Sequence, residues 1–232
     1  MAITTPAGTS RRNFIRLTGT LGVAAGLAAS VAACGKKGGK AANKDGVITA
    51  GISYELGTNG YDPMTTSSAL TVAANWHTLE GLTELHPATR EVYAALAAEM
   101  PKKVDDTTYE VALRKDAKFS DGSAVTADDV VFSFTRVLDP ANKSLYSQFL
   151  PFIDKVEAKD VGTVTIKLKY AFSLVAERLS VVKIVPKAVV EADAKKFDMN
   201  PIGSGPYKMT DNGAASQKLV FERNDKYNGP RP

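Results

Sequence analysis

Hydrophobic positions along this chain recur with two different periods. Val47-Ile48-Thr49-Ala50-Gly51-Ile52-Ser53 is β-rich and predicts a strand that opens the folded body. Tyr61-Asp62-Pro63 marks a turn. From Ser68 to Leu82 the apolar residues Leu70, Ala73, Ala74, Trp76, Leu79 and Leu82 fall at helical spacing. That spacing predicts a helix closed by Gly81, with Trp76 in the core. Tyr109–Arg114 alternates and predicts a strand. Ser120–Ser123 is a turn. Thr126 then reads as the N-cap of a helix with Asp128 and Asp129 in its first turn, where the helix dipole favours acids. That helix buries Val130, Val131, Phe134, Val137 and Leu138 and stops at Asp139-Pro140.

Further on, Val156–Lys159 and Val164–Lys169 predict two strands around the Asp160–Thr163 turn. A helix is expected near Leu174–Leu179, a short strand at Val182–Val185, and a helix from Pro186-Lys187 to about Lys195. Pro201–Pro206 reads as a tight loop and Lys218–Arg223 as a closing strand. Helices and strands are mixed without a repeat, and strands often follow one another. The expected class is α/β of the mixed, α+β kind.

Composition refines this picture. The chain has 232 residues, enough for one or two domains, with 44% apolar and 23% charged residues. Its formal net charge is +4, but the excess is local. Residues 1–33 hold Arg11, Arg12 and Arg16 and no acid, and residues 34–45 hold four lysines against Asp45. Residues 46–232 hold 22 basic and 24 acidic side chains. The body therefore offers no electrostatic case for nucleic acid.

The first 45 residues read as an address. Ser10-Arg11-Arg12-Asn13-Phe14-Ile15-Arg16 resembles a twin-arginine export signal, which a receptor reads. The uncharged run Leu17–Ala33 is 17 residues long and rich in Gly, Ala and Thr, which suits a signal-peptide core better than a spanning helix. It ends in Val31-Ala32-Ala33-Cys34, which resembles a lipobox. Cys34 would carry the lipid, and two acyl chains give a stable anchor where one would not. Residues 35–40 then form a flexible tether. Cys34 is also the only cysteine, so neither an internal disulfide nor a cysteine-rich zinc site is available.

Candidate chemistry is sparse. No nucleophile elbow, phosphate loop or dinucleotide fingerprint occurs. Asp105-Asp106 and Asp128-Asp129 are adjacent pairs, and neighbours on a strand or helix diverge too far to share a proton. They read as a solvated turn and as helix-start acids. His77 and His86 lack partners and read as surface or packing residues. No catalytic residue, metal ligand or cofactor is expected.

Six segments in order resemble the family 5 extracellular solute-binding proteins, the peptide/nickel class. These are Thr78-Leu79-Glu80-Gly81-Leu82-Thr83, Leu96-Ala97-Ala98-Glu99-Met100, Leu113-Arg114 through Ala117–Ser133, Ile184-Val185-Pro186-Lys187, Gly203-Ser204-Gly205-Pro206-Tyr207-Lys208, and Glu222-Arg223-Asn224-Asp225-Lys226-Tyr227. The sequence departs from the family pattern at Ala124 (proline), Ser204 (threonine), Asp225 (proline) and Asn228 (tryptophan).

The resemblance implies a type II, cluster C periplasmic-binding-protein-like fold, present here as the first lobe plus an inserted subdomain and incomplete because family members run on through a second lobe. In those terms residues 1–33 are a lipoprotein signal peptide and 34–45 a lipidated cysteine and linker. Residues 46–81 start lobe I, 82–186 form the inserted subdomain, and 187–232 return to lobe I. The implied function is capture of oligopeptides or dipeptides outside the cytoplasmic membrane by a lipid-anchored monomer, for delivery to an ABC permease and its ATPase. Two lobes close on the ligand, and an extended peptide is bonded through its main chain. The resemblance places ligand-facing residues in the loop Thr66–Leu70, including Ser67 and Ala69, and places a peptide-contacting tyrosine at Tyr146. Packing between subdomains accounts for Tyr146 equally well. Other ligands within the class are nickel chelates, haem and oligosaccharides. An envelope lipoprotein without transport and an exported hydrolase are the readings from other classes, and half a clamp can also leave the chain inactive alone.

Overall fold

A computed structural model describes residues 46–51 and 60–229. Residues 46–51 belong to one compact unit and residues 60–229 to another. In the first, residues 46–51 are exposed and in no strand, against expectation. Ile48 is 93% exposed. Alternating apolar residues make a strand only when a neighbour completes the ladder, and residues 46–51 pair with none.

The second unit begins with helix α1, Ala69–Thr78, which buries Leu70, Thr71, Ala74, Asn75 and Thr78. At 100° per residue these five share one face, and Trp76 falls nearly opposite its centre. Trp76 is 61% exposed, so its expected place in the core is wrong. The helix is also shorter than its apolar spacing suggests. Leu79 is extended, and its N–H caps the Asn75 carbonyl. Leu79 and Leu82 are buried, but from an extended segment. Gly81 does not close the helix. It lies where the backbone is crowded, since a Cβ there would sit 2.8 Å from the Thr83 carbonyl oxygen. That segment leads into β1, Thr83–Leu85, which pairs antiparallel with β2, Val92–Ala94.

A four-stranded antiparallel sheet forms the centre of the unit, in the order β3-β4-β6-β5. The strands are β3, Lys102–Asp105; β4, Thr108–Ala112; β5, Ile153–Asp160; and β6, Thr163–Leu168. Register pairs Val111 with Val164, and Ile166 with both Tyr109 and Val156. Period-two alternation puts these apolar residues on the core face, while Glu157, Lys167, Glu110 and Lys159 pair on the other.

Helix α2, Ala127–Leu138, lies against that core with Val130, Ser133, Phe134 and Val137 buried. Val131 and Leu138 are half-buried rather than fully inside. Asp129 fixes the start of the helix. Its Oδ2 accepts from the Thr126 N–H at 2.9 Å and from the Thr126 hydroxyl at 2.8 Å. The helix stops where Asp139 turns extended, before Pro140. Phe119, Phe134, Phe152, Leu82, Leu96 and Leu150 are at most 1% exposed. Each such burial contributes about 1.5–3 kcal/mol.

Helix α3 is Val175–Leu179. The strand expected at Val182–Val185 is absent. The N–H groups there and just beyond find separate partners instead of a ladder. Ile184 N–H meets the Glu80 carbonyl at 2.9 Å, Val185 N–H meets Ser133 Oγ at 3.0 Å, and Lys187 N–H meets Asp129 Oδ1 at 2.9 Å. The helix expected to Lys195 is two helices, α4, Lys187–Ala192, and α5, Ala194–Met199. Asp193 breaks the run because its carboxylate caps the Lys196 N–H at 2.9 Å. Strands β7, Tyr207–Asn212, and β8, Leu219–Arg223, close the unit as an antiparallel hairpin.

Candidate functional site

The stretch Asp62–Ser68, just before α1, has no ladder of its own, and its polar groups find partners one by one. Asp62 Oδ1 accepts from the Met64 N–H at 3.0 Å, and the Asp62 carbonyl accepts from the Thr65 N–H at 3.2 Å. Thr66 Oγ1 accepts from the Ser68 N–H at 3.1 Å. Two of its carbonyls are taken by a distant segment. Ser144 Oγ donates to the Met64 carbonyl at 3.1 Å, and Tyr146 Oη donates to the Thr66 carbonyl at 3.0 Å. Arg136, on the last turn of α2, donates to Asp62 Oδ2 at 2.5 Å. This ion pair is nearly buried, with side chains 13% and 6% exposed.

The expected ligand-facing residues can now be placed. Ser67 and Ala69 are exposed, at the loop and at the first residue of α1. Tyr146 is half-buried, packs against the main core, and reaches the same loop through Thr66. Burial pushes its phenol pKa above the ordinary value. The Tyr146–Thr66 bond thus ties Tyr146 to the stretch from which Ser67 and Ala69 are exposed. Leu145 and Phe149, 48% and 41% exposed, flank Tyr146 in sequence. Cys34, Arg11 and Arg12 lie outside the described residues.

A second polar cluster is buried. Arg114 Nη2 donates to Glu80 Oε1 at 3.1 Å and Oε2 at 2.9 Å, and its guanidinium lies over the Tyr227 ring, 5.5 Å from the centroid. Burial pushes the Glu80 carboxyl up to about 7, against the opposing pull of Arg114 and the Ser204 hydroxyl. Glu84 adds to the rise and Lys183 opposes it. Lys183 in turn is bonded to Glu84. Nearby, Gly203 and Gly205 let the loop press onto the end of α1. A Cβ on Gly203 would fall 2.0 Å from the Thr78 carbonyl oxygen, and the Gly205 N–H donates to that oxygen at 2.9 Å. Asn224 Nδ2 holds the Gly205 carbonyl at 2.8 Å. Glu80, Arg114, Gly203–Gly205, Asn224 and Tyr227 all come from the segments that carried the family resemblance. Their role is to join distant parts of the chain.

The groups weighed for chemistry have structural partners. Asp105 accepts from the Thr107 N–H at 2.8 Å, and Asp106 pairs with Lys103. His77 stacks on Phe221, with centroids 5.4 Å apart, and His86 Nδ1 lies 3.2 Å from the Thr89 N–H. Among the described residues no group of three or more His, Cys, Asp or Glu could hold a metal ion, and no helix is long and apolar enough to cross a membrane. Sequence reasoning missed Asp62, Arg136 and Ser144. Each acts through a partner 74 or 80 residues away, and no local pattern reports such a pairing.

Comparison with known proteins places the chain in a family. The chain is 36% identical over 146 residues to Protein XP55 of Streptomyces lividans, covering 61% of this chain and 26% of that protein. It is 31% identical over 193 residues to the glutathione-binding protein GsiB of Pectobacterium atrosepticum, covering 81% of this chain and 35% of that one. The peptide-bound OppA of Listeria monocytogenes superposes with a TM-score of 0.69 at 26% identity, over 75% of this chain and 38% of OppA. The fold is thus the mixed α/β architecture of type II periplasmic binding proteins. This chain spans about a quarter to a third of the length of these curated relatives. Residues 91–232 match the family described as bacterial extracellular solute-binding proteins, family 5 middle region, and the chain belongs to that family of binding proteins.

Proposed function

We propose that this chain supplies one wall of the ligand site of a substrate-binding protein, and that the ligand is a short peptide. The observation that carries the reading is that half-buried Tyr146 bonds, through Thr66, the loop on which Ser67 and Ala69 lie exposed. A peptide laid along that surface meets small side chains and the face of one aromatic ring, a lining that excludes few sequences. The likeness to an OppA solved with peptide and to a glutathione-binding protein supports the same ligand class. Main-chain bonding of an extended peptide would make the site tolerant of side-chain identity.

In this reading the domain limits are those set by the sequence. Residues 46–81 and 187–232 belong to lobe I, and residues 82–186 form the inserted subdomain. Arg11 and Arg12 direct export, and Cys34 carries the lipid that holds a monomeric receptor at the outer side of the cytoplasmic membrane. An ABC permease and its ATPase receive the ligand there, and the chain itself performs no chemistry. Isothermal calorimetry with a pool of di- to pentapeptides tests the ligand class. Saturable heat supports a peptide ligand. No heat with peptides, and heat with a nickel chelate or an oligosaccharide, replaces it.

A further inference from the structure

We infer that Ser144 and Tyr146 are positioning residues whose hydroxyls set the shape of the 64–68 loop; the inference rests on the reading of that loop as ligand wall. The loop lacks a ladder, so the direction of its carbonyls depends on whichever donors meet them. Two donors do, and they come from residues two apart in one short segment. Ser144 Oγ gives its proton to the Met64 carbonyl and accepts the Tyr146 N–H at 3.3 Å. Tyr146 Oη gives its proton to the Thr66 carbonyl. The pair is therefore coupled: Ser144 orients the backbone of Tyr146 while both hold the loop.

The route by which Ser144 arrives supports a dedicated role. Lys143, just before it, adopts the left-handed conformation with φ 50°, which non-glycine residues seldom occupy. That turn directs the chain back so that Ser144, 7% exposed, faces the loop. Ser144 is too deeply buried to meet a ligand. Tyr146 is not, but its one proton is already committed to Thr66. Both hydroxyls thus act on a ligand through Ser67, which directly follows the held carbonyls of Met64 and Thr66, while the Tyr146 ring stays half-exposed beside them.

Hydrogen exchange read by NMR on the ligand-free chain tests this directly, in Ser144→Ala and in the near-isosteric Tyr146→Phe. The Thr65 and Ser68 amides are expected to exchange at least ten-fold faster in each variant, with amides of α2 and β6 unchanged. Unchanged loop rates overturn the inference, and so does equal acceleration everywhere. Calorimetry with the peptide pool adds a second arm. Comparable weakening, five-fold or more, in both variants supports positioning. Weakening in Tyr146→Phe alone makes the Tyr146 hydroxyl itself a ligand contact and overturns it. If the unaltered chain binds no peptide, the ligand-wall reading fails on its own, and the exchange result still decides whether the hydroxyls hold the loop.

Discussion

Arg114 Nη2 donates to both carboxylate oxygens of Glu80, 34 residues earlier in the chain, from a position between the aromatic ring of Tyr227 and the buried end of the extended segment after α1. Burial of this kind gains little over an apolar pair, but removing one partner strands the other charge away from water. Arg114→Met is expected to destabilise the chain by about 3–5 kcal/mol. Urea unfolding measures this, and a loss below about 1 kcal/mol would mean that the guanidinium is replaceable packing.

The same carboxyl sets a pH dependence. Glu80 binds its proton more tightly in the folded chain than in the unfolded one, because burial raises its pKa to about 7 from 4.5. The folded state therefore holds more protons between those values. Stability from this group is greatest below about pH 4.5, declines as pH rises towards 7, and then levels. The groups that face it are Arg114, Ser204, Glu84 and Lys183. In Glu80→Gln the decline is expected to disappear. Unfolding free energies measured at pH 5 and pH 7.5 decide it. An equal drop in the variant would place the dependence elsewhere.

Gly203 sits where even a methyl group collides with backbone. Gly203→Ala is expected to cost about 1–3 kcal/mol, since the Thr78 carbonyl cannot move aside without disturbing the end of α1. Gly162 is the control, because a Cβ there comes no closer than 3.8 Å to a side-chain oxygen. Gly162→Ala is expected to stay within about 0.5 kcal/mol. Thermal unfolding of the two variants side by side gives the answer.

Trp76 is the chain's only tryptophan, so fluorescence reports on it alone. Its 61% exposure predicts a red-shifted emission that iodide quenches in the folded state. Emission shielded from iodide would contradict the placement of the α1 face.

These cases show what was and was not legible in the residues. The α2 start could be read at Thr126, Asp128 and Asp129 because capping is a local matter settled within one turn. Strands β4, β5 and β6 could be read because their alternation is long and their inner faces are apolar. Trp76 misled because helical spacing allows any aromatic in the apolar stripe, and only the buried stripe of Leu70, Ala74 and Thr78 shows which side is inward. Val182–Val185 misled in the opposite way. It has strand composition, but the Ser133 hydroxyl and the Glu80 carbonyl satisfy its Val185 and Ile184 N–H groups where a neighbouring strand would. The short strands β1, β2 and β3 carry too few residues to show a period. At the site, the exposed loop around Ser67 and Ala69 was placed through family likeness, whereas the bonds that hold it were invisible because their partners are 80 residues apart.

The most direct test of the account is an NMR titration of the chain with the di- to pentapeptide pool, which detects binding even at millimolar strength. The account predicts saturable shift changes centred on Ser67, Ala69 and Tyr146, with the buried Glu80–Arg114 cluster unmoved. Shift changes confined to another surface, or none up to millimolar peptide, would contradict it.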